Sequence, residues 1–201
     1  ITFDYPKASH TGDYDAVWSD FDNDGLMDLT MVQGHYSTYF RTFFLKQDTS
    51  GHFNDVTYEL GLLTPNLKNT QAIETFDYDL DGDEDLIIAQ IEQTPIVKPL
   101  RILRNDIGNT KNWVAVKLVA PPGVNKSSIG ARVYIWAGGL FRMRELNAGR
   151  GNYAGQQPFI LHFGLGDAAA IDSIKVVWPC EPGNSITVFN SPTNQIISIT
   201  G

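Results

Sequence analysis

The feature that most constrains this chain is a short acidic stretch that occurs twice. It reads DFDNDGLMDL at residues 20–29 and DYDLDGDEDL at residues 77–86, 57 residues later. Aligning residues 20–33 with residues 77–90 gives seven identities in fourteen positions. Like charges about 4 Å apart repel each other by roughly 1 kcal/mol even in water. Each acidic stretch therefore favours a bound divalent cation.

The sequence on both sides of each acidic stretch is typical of β-strands. DAVWS and LTMVQG flank the first copy, QAIETF and DLIIAQI flank the second, and all are rich in β-branched or aromatic residues. LKQD at 45–48 recurs as LRND at 103–106. Units of several short strands with an acidic hairpin loop predict two β-propeller-blade-like units within residues 1–108.

Residues 109–201 lack the acidic motif and are predicted to form a separate, β-sandwich-like domain. The first segment, NWVAVKLVAPPG, places Val114, Val116 and Leu118 at alternate positions and ends in a Pro-Pro-Gly turn. Further strand-like segments follow: IGARVYIWAGG, LFRMREL, PFILHFGLG, IDSIKVVWP, SITVF and QIISIT. The whole chain is therefore predicted to be all-β.

Both acidic loops have Asp at positions 1, 3, 5 and 9 and Gly at position 6, where position 1 is Asp20 in loop 1 (residues 20–28) and Asp77 in loop 2 (residues 77–85). Alternate positions let three side chains converge, glycine accepts the positive φ of a tight return, and residue 7 offers its carbonyl. Oxygen ligands at this density suit Ca²⁺ better than Mg²⁺, which prefers a small octahedral shell that retains water. We therefore expect two calcium sites.

Two other interpretations of the loops were considered. An EF-hand begins with the same pattern but needs a bidentate Glu at position 12, where this chain has Met31 and Ile88, and its flanks are helices rather than strands. Asp-Gly pairs also occur in exposed turns without any metal. Two matching loops favour the metal, with Asp28 and Asp85 as the closing carboxylates.

The pattern of residues 12–106 resembles the FG-GAP repeat, also called the VCBS repeat, of β-propeller proteins. GHFNDVTYELGL at 51–62 also resembles the segment that follows the loop in such repeats. A closed propeller needs about four blades or more, so we expect the remaining blades in a longer chain or in further copies of this one, arranged as a ring or a filament. The resemblance implies carboxylate ligands from Asp20, Asp22, Asp24, Asp28, Asp77, Asp79, Asp81 and Asp85, and carbonyl ligands from Leu26 and Asp83.

The C-terminal half resembles the ASPIC/UnbV domain, which follows such repeats in many proteins. The likeness is carried by NWVAVKLV (112–119), IGARVYIWAGG (129–139), RELNAGRGNYAGQ (144–156), LHFGLGDA (161–168) and IDSIKVVWP (171–179). WPCEPG departs from the usual Trp-Pro-Ser-Gly of the family, so Cys180 is a local peculiarity. The resemblance implies calcium-linked scaffolding or recognition outside the cell.

Composition excludes some classes of partner. The formal net charge is −8 and no Lys/Arg cluster occurs, which argues against nucleic acid. No apolar run approaches the length of a membrane span, and the first residues lack the features of a signal peptide and an initiator Met, which fits a processed secreted protein or a piece of a longer chain. The single Cys180 allows no internal disulfide, so metal is an expected source of stability.

Several other chemical motifs are expected to be structural. Gly164, Gly166 and Ala169 satisfy G-x-G-x-x-[GA], but the chain soon returns to a strand-like pattern, so we expect a tight turn rather than a dinucleotide site. The four scattered histidines, His10, His35, His52 and His162, are expected to have structural or surface roles, and Cys180 is expected to be an incidental thiol. Paired carboxylates for glycoside hydrolysis are disfavoured, because bound Ca²⁺ would keep every Asp ionised.

The sequence therefore predicts a calcium-stabilised structural or recognition module that is secreted or displayed on the cell surface, acts in adhesion or in binding a protein or glycan, or forms part of a surface assembly. It is not expected to be an enzyme. The alternative is an accessory or catalytic part of a secreted carbohydrate-active enzyme. That alternative places a pocket between the two halves and uses Arg142, Arg144 and Glu145.

Overall fold

The computed structural model describes residues 13–33, 42–62, 67, 70–90, 92–93, 96–97, 100–149, 155–179 and 185–201. The predictions for His10, His35 and Cys180 concern residues outside these ranges. The described chain is almost entirely β-structure, which confirms the all-β prediction. None of its helical turns approaches the length and apolar character that crossing a bilayer requires.

The N-terminal part forms two antiparallel sheets. The first sheet has the order β1-β2-β3-β4, with β1 (Asp13–Ser19), β2 (Asp28–Gln33), β3 (Thr42–Gln47) and β4 (Phe53–Asp55). The second sheet has the order β5-β6-β9, with β5 (Thr70–Phe76), β6 (Asp85–Gln90) and β9 (Leu100–Leu103). A separate ribbon pairs β7 (Glu92–Gln93) with β8 (Ile96–Val97).

The two sheets repeat the same geometry. Ser19 pairs with Asp28 across loop 1, and Phe76 pairs with Asp85 across loop 2, so each acidic loop closes an equivalent hairpin. A register irregularity follows the first paired residue of both β1 and β5. The sheets pack together through an apolar core that consists of Val17, Val32, Phe44, Leu67, Ile73, Leu86 and Ile88.

The C-terminal part, called the sandwich below, comprises strands β10 to β16. One sheet has the order β13-β10-β16 and the other the order β12-β11-β14-β15, and among the described strands of this part only β10 and β16 pair in parallel. The strands are β10 (Asn112–Val119), β11 (Arg132–Ala137), β12 (Leu140–Glu145), β13 (Ile160–Gly166), β14 (Ala170–Val177), β15 (Ser185–Pro192) and β16 (Gln195–Thr200).

Alternating residues of both sheets form the core of the sandwich. Val114, Val116 and Leu118 of β10 are buried in it, as their alternation in the sequence predicts. Trp113 lies on the opposite face of β10 and is nevertheless only 9% exposed. The reason is loop 2, because a Cβ atom added to Gly82 would overlap the Trp113 indole. Loop 2 therefore covers the start of the outer face of β10 at Trp113, whereas Lys117 and Val119 further along that face are exposed.

We expect Gly82→Ala to destabilise the protein clearly more than Gly51→Ala. Both glycines have positive φ, +98° and +83°, so a side chain costs roughly 1–2 kcal/mol of backbone strain at either position. A methyl group at Gly82 must also displace Trp113, whereas nothing lies within 4 Å of the Cβ position of Gly51. Urea unfolding of both variants measures the difference. Equal losses of stability would contradict the contact between Gly82 and Trp113.

Candidate metal centres

The tips of the two equivalent hairpins each carry a cluster of three carboxylates. In each cluster, one carboxylate oxygen from each residue lies within 4.8 Å of the others. The residues occupy positions 1, 3 and 9 of their loops, which are three of the four Asp positions predicted from the sequence. Loop 1 contributes Asp20, Asp22 and Asp28, and loop 2 contributes Asp77, Asp79 and Asp85.

Hydrogen bonds fix the carboxylate at position 1 in the same way in both loops. The amide of Gly25 donates to Asp20 Oδ2 at 2.9 Å, and the amide of Gly82 donates to Asp77 Oδ2 at 3.1 Å. Both glycines have positive φ, +88° and +98°. The glycine at position 6 therefore turns the backbone so that its N–H reaches back to the first carboxylate.

The carboxylate at position 9 is also fixed equivalently. The amide of Gln47 donates to Asp28 Oδ1 at 2.8 Å, and the amide of Asn105 donates to Asp85 Oδ1 at 2.8 Å. These donors come from corresponding places in the LKQD and LRND segments. The next strand of each sheet therefore orients the closing carboxylate of its own loop.

Positions 5 and 7 contact each other rather than joining the clusters. The amide of Leu26 donates to Asp24 Oδ1 at 2.8 Å, and the amide of Asp83 donates to Asp81 Oδ1 at 3.3 Å. The predicted ligands Asp24 and Asp81 therefore lie beside the two groups of three carboxylates. Their hydrogen bonds shape the loop at the point where the carbonyls of Leu26 and Asp83 were predicted to bind.

Three buried carboxylate oxygens of loop 1 have no hydrogen-bond partner among the described residues. They are Asp20 Oδ1, Asp22 Oδ1 and Asp28 Oδ2, one from each member of the cluster. An ionised carboxylate oxygen buried without a partner is strongly unfavourable unless a cation neutralises it. The donor set of loop 1, which consists of hard oxygens only, therefore fits a hard cation such as Ca²⁺.

The same burial shifts the pKa values of the carboxyl groups in loop 1. Burial, with the neighbouring Asp24 charge, raises the pKa of Asp20 to about 7, although Arg144 opposes the shift. Burial likewise raises the pKa of Asp28 to about 7, despite the hydrogen bond from Gln47. Without a cation these carboxyl groups hold protons near neutral pH, and a bound cation would replace those protons.

Lys46 is a partner of loop 1 that the sequence analysis missed. Its ammonium contacts Asp22 Oδ2 and lies 3.2 Å from Asp24 Oδ2. The corresponding residue of the second repeat, Arg104, pairs with Asp106 at 2.9 Å instead. The alignment of LKQD with LRND gives Lys46 and Arg104 equivalent positions. The sequence alone does not show that Lys46 contacts its acidic loop whereas Arg104 pairs with Asp106.

Asn23, at position 4 of loop 1, was also missed by the sequence analysis, and it forms hydrogen bonds with several distant segments. It is fully buried, with φ +55°. Its Nδ2 donates to the carbonyl of Gly82 at 2.8 Å and to the carbonyl of Gly108 at 3.0 Å. Its Oδ1 lies 2.7 Å from Nε2 of His162, and its backbone carbonyl accepts from the amide of Gly166 at 2.8 Å. Asn23 therefore joins loop 1 to loop 2 and to the sandwich.

The contacts of Asn23 determine the tautomer of His162. Two carbonyls accept from the Asn23 amide nitrogen, so its oxygen faces His162 and Nε2 carries the proton. Burial, followed by the charge of Arg144, lowers the pKa of His162 to about 3, so the ring is neutral. The ring also stacks on Trp113, with centroids 5.8 Å apart. His162 is packed, in agreement with the structural role expected for it.

The glycines of the G-x-G motif make room for loop 1. Gly164 lies within β13, and the expected tight turn comes just after it, where the amide of Ala168 donates to the carbonyl of Leu165 at 3.1 Å. A Cβ atom at Gly164 would overlap the Asp20 carboxylate and lie 2.6 Å from the Asn23 Cα. Gly166, with φ +58°, ends the strand and donates its amide to Asn23. A strand, β14, follows this motif, so the helix of a dinucleotide site is not formed there.

The residues proposed for a catalytic junction are engaged in structural contacts. Arg142 Nε donates to the carbonyl of Gly25, and Arg144 Nε donates to the carbonyl of His162 at 3.3 Å. Glu145 pairs with Arg132 at 2.7 Å. The cavity that Arg144 and Glu145 line has a volume of only about 60 Å³, whereas small-molecule sites commonly measure about 300–1,000 Å³. A larger cavity of about 380 Å³ does lie between the two parts, but none of the three proposed residues lines it.

The fold and the clusters define an all-β protein that has a C-terminal sandwich and two acidic hairpin loops. Each of these loops could hold a metal ion. Residues 121–201 match the family model described as ASPIC and UnbV. The chain is also 27% identical to Cartilage acidic protein 1 of Homo sapiens over 188 residues. This alignment covers 91% of the chain and 27% of the human protein. Cartilage acidic protein 1 of Mus musculus gives 27% identity over 188 residues, with 91% and 28% covered. The chain thus spans little more than a quarter of these relatives.

We expect the metal-free protein to become less stable as the pH rises from about 5.5 to about 8. Burial raises the pKa values of Asp20 and Asp28 in the folded state to about 7 from an ordinary value of 3.8. The folded state therefore binds more protons between these pH values, and its stability falls as the pH rises through 7. Calcium replaces these protons, so the rise in Tm that it causes should be larger at about pH 8. Thermal unfolding with EDTA and with CaCl₂ at both pH values tests this. A metal-free Tm that rises with pH would contradict the burial of these carboxyl groups.

Proposed function

We propose that this chain is a calcium-stabilised structural or recognition module that works outside the cell. Its two hairpin loops would act as FG-GAP-type sites that bind one Ca²⁺ each. The single observation that carries this proposal is the set of three unpartnered oxygens in loop 1, from Asp20, Asp22 and Asp28. They belong to the three residues whose carboxylates converge, and no described protein donor satisfies them.

The chemistry of the loops favours Ca²⁺ over Mg²⁺. Each loop brings three carboxylates together, and the carboxylate at position 5 accepts a hydrogen bond from the backbone N–H of position 7 in the same loop. Six to eight oxygens at flexible distances are what Ca²⁺ requires, whereas Mg²⁺ keeps several waters in a rigid octahedron. The proposed ligands are Asp20, Asp22, Asp24, Leu26 and Asp28 in loop 1, and Asp77, Asp79, Asp81, Asp83 and Asp85 in loop 2.

The role proposed for calcium is to hold the fold together. Two Ca²⁺ ions would offset four of the eight net negative charges of the chain and relieve the repulsion within each loop, so metal binding and folding are coupled. We place the domain boundary at residues 108/109, in the 3₁₀ turn Gly108–Thr110 that precedes β10. This turn lies against loop 2, because the amide of Asn109 donates to Asp83 Oδ2 at 3.0 Å.

The comparisons support an extracellular location. The relatives' name describes an acidic protein of cartilage, and this chain matches them over 91% of its length. Calcium is abundant outside cells, so sites with dissociation constants of about 10⁻⁴ to 10⁻³ M would be occupied there. The blades that would complete a propeller are proposed to come from a longer chain or from further copies of this one.

An exposed aromatic face on the sandwich supports the recognition part of the proposal. Tyr134, Trp136 and Phe141 lie on the side of β11 and β12 that faces away from the core, with ring centroids 5.1–6.4 Å apart. Met143 beside them is 45% exposed. Aromatic residues and Met are enriched where proteins bind each other. We therefore propose a protein partner ahead of a glycan.

We expect the protein to bind two Ca²⁺ ions and its Tm to rise by several degrees with Ca²⁺ but not with Mg²⁺ at the same concentration. Asp20→Asn and Asp77→Asn should each reduce the stoichiometry from two to one, because each removes the first carboxylate of one loop. Isothermal titration calorimetry and thermal unfolding measure both effects.

Asp167→Asn is the matched control for these variants. Asp167 is an acidic residue whose side chain is 89% exposed and pairs with Lys111, and it belongs to neither carboxylate cluster. This variant should keep both ions and the full rise in Tm. If the unaltered protein has the same Tm in Ca²⁺, Mg²⁺ and EDTA, the metal proposal is wrong and the loops are acidic turns.

A further inference from the structure

We propose that calcium binding at loop 1 and the docking of the sandwich are a single coupled equilibrium, in which Asn23 is the positioning residue. This inference rests on the proposed function, because it takes loop 1 to be a calcium site. It goes further in assigning to the metal a second effect, which is to fix the sandwich against the N-terminal sheets. It also predicts that residues of the sandwich control the affinity of a metal site to which they contribute no ligand.

Loop 1 lies on the seam between the two sheets of the sandwich. Its contacts with the sandwich are made by β12 and β13, and each of these is an edge strand of its sheet. Arg142 of β12 donates to the carbonyl of Gly25, and Gly166 of β13 donates to the carbonyl of Asn23. The absent side chain of Gly164 leaves the space that Asp20 occupies. The loop that holds the ligands is thus also the surface that docks.

The backbone conformation at Asn23 serves both the placement of the proposed ligands and the docking of the sandwich. Asn23 lies between the ligand candidates Asp22 and Asp24, and its backbone N–H donates to the carbonyl of Asp20 at 3.2 Å. Its φ of +55° is a left-handed conformation, which Asn adopts more readily than most residues. If the ligands separate, Asn23 must move with them. Its hydrogen bonds with Gly82, Gly108, His162 and Gly166 are then lost together.

Loop 2 shows that this arrangement is not a general requirement of such a hairpin. The residue that corresponds to Asn23 is Leu80, which has nearly the same φ, +62°, but is 69% exposed. The left-handed conformation at position 4 therefore belongs to the loop itself. The buried side-chain amide with its three hydrogen-bond partners belongs to loop 1 and to its contact with the sandwich.

The coupling must act in both directions. If calcium strengthens docking, docking strengthens calcium binding by the same factor, and coupled sites commonly show factors of about 5 to 150. Chelation of calcium should therefore loosen the contact between loop 1 and β13. Changes in β13 that disturb docking should likewise weaken calcium binding at loop 1.

The first test uses variants at Asn23 in the full chain, with the amide resonances of Gly25 and Gly82 as separate NMR reporters of the two loops during a Ca²⁺ titration. Asn23→Gly keeps the left-handed conformation and removes the amide, so we expect affinity at loop 1 to fall about tenfold or more. Asn23→Asp adds a negative charge, but it also turns an oxygen toward the carbonyls of Gly82 and Gly108. If Asn23 acts by positioning loop 1, Asn23→Asp should bind Ca²⁺ more weakly at that loop. If the added charge alone matters, it should bind Ca²⁺ more tightly.

The second test changes a residue of the sandwich and measures calcium binding at loop 1. Gly164→Ala should weaken calcium binding at loop 1 by a similar factor, because its methyl group displaces Asp20 and Asn23. Ile174→Ala is the matched control. It removes volume from the same sandwich core, where Ile174 is 0% exposed and pairs with Ile135 and Val188 of β11 and β15. This control should lower stability and leave the affinity unchanged.

Hydrogen exchange gives a readout that does not depend on a variant. The Gly166 amide belongs to the sandwich, but its acceptor is Asn23 in loop 1. We expect EDTA to accelerate exchange of this amide about tenfold or more, while the amide of Val176, in the paired centre of the sandwich, keeps its protection.

The outcomes separate the two proposals. If the unaltered protein binds no calcium, the proposed function fails, and the coupling fails with it. If it binds two ions but Gly166 exchanges at the same rate with and without calcium, the coupling is wrong and the function stands. Unchanged affinity in Asn23→Gly and Gly164→Ala, or tighter binding in Asn23→Asp, would overturn the positioning role in the same way.

Discussion

The hydrogen bonds of the Asn23 side chain hold together three parts of this chain that lie far apart in sequence. One amide donates to loop 2 and to the turn before the sandwich, and its oxygen faces His162 of β13. All of these groups are buried, so removing the amide leaves donors and acceptors without partners, at about 1–3 kcal/mol for each buried group. The network therefore specifies one arrangement of loops and sandwich, because alternative arrangements leave buried polar groups unpaired.

Charge around this network explains why a cation belongs in the arrangement. Burial lowers the pKa of Arg144, although the charges of Glu84 and Asp20 raise it. Burial also raises the pKa of Glu84 to about 7, against the effect of Arg144. Arg144 and Lys46 together carry two positive charges, which are fewer than the carboxylates of loop 1 and Glu84. A divalent cation bound as proposed would supply positive charge where the oxygens of Asp20, Asp22 and Asp28 lack partners among the described residues.

The sequence was sufficient for those features that depend on neighbouring residues. The strands follow alternation and β-branched residues, and the three clustered carboxylates of each loop follow the spacing of the Asp residues. Asn23, Lys46 and Gly164 were not found, because their roles depend on contacts between distant segments; Asn23 and His162 are 139 positions apart. One local signal did exist for Asn23. The two aligned loops differ at position 4, where a buried Asn replaces an exposed Leu.

The two loops, although they share one geometry, are not equivalent as cation sites. Loop 1 has four carboxylates within nine residues, and the Lys46 ammonium already contacts two of them. Loop 2 adds Asp83 to its four, whereas the charge of Glu84 acts on Asp20 of loop 1, and the corresponding Arg104 pairs elsewhere. Calcium affinity rises with the negative charge of the site, so loop 2 would be the stronger of the two proposed sites on charge alone. Loop 1 depends more on the contacts of Asn23 and β13, and it is therefore the loop at which docking of the sandwich has the larger influence on metal binding.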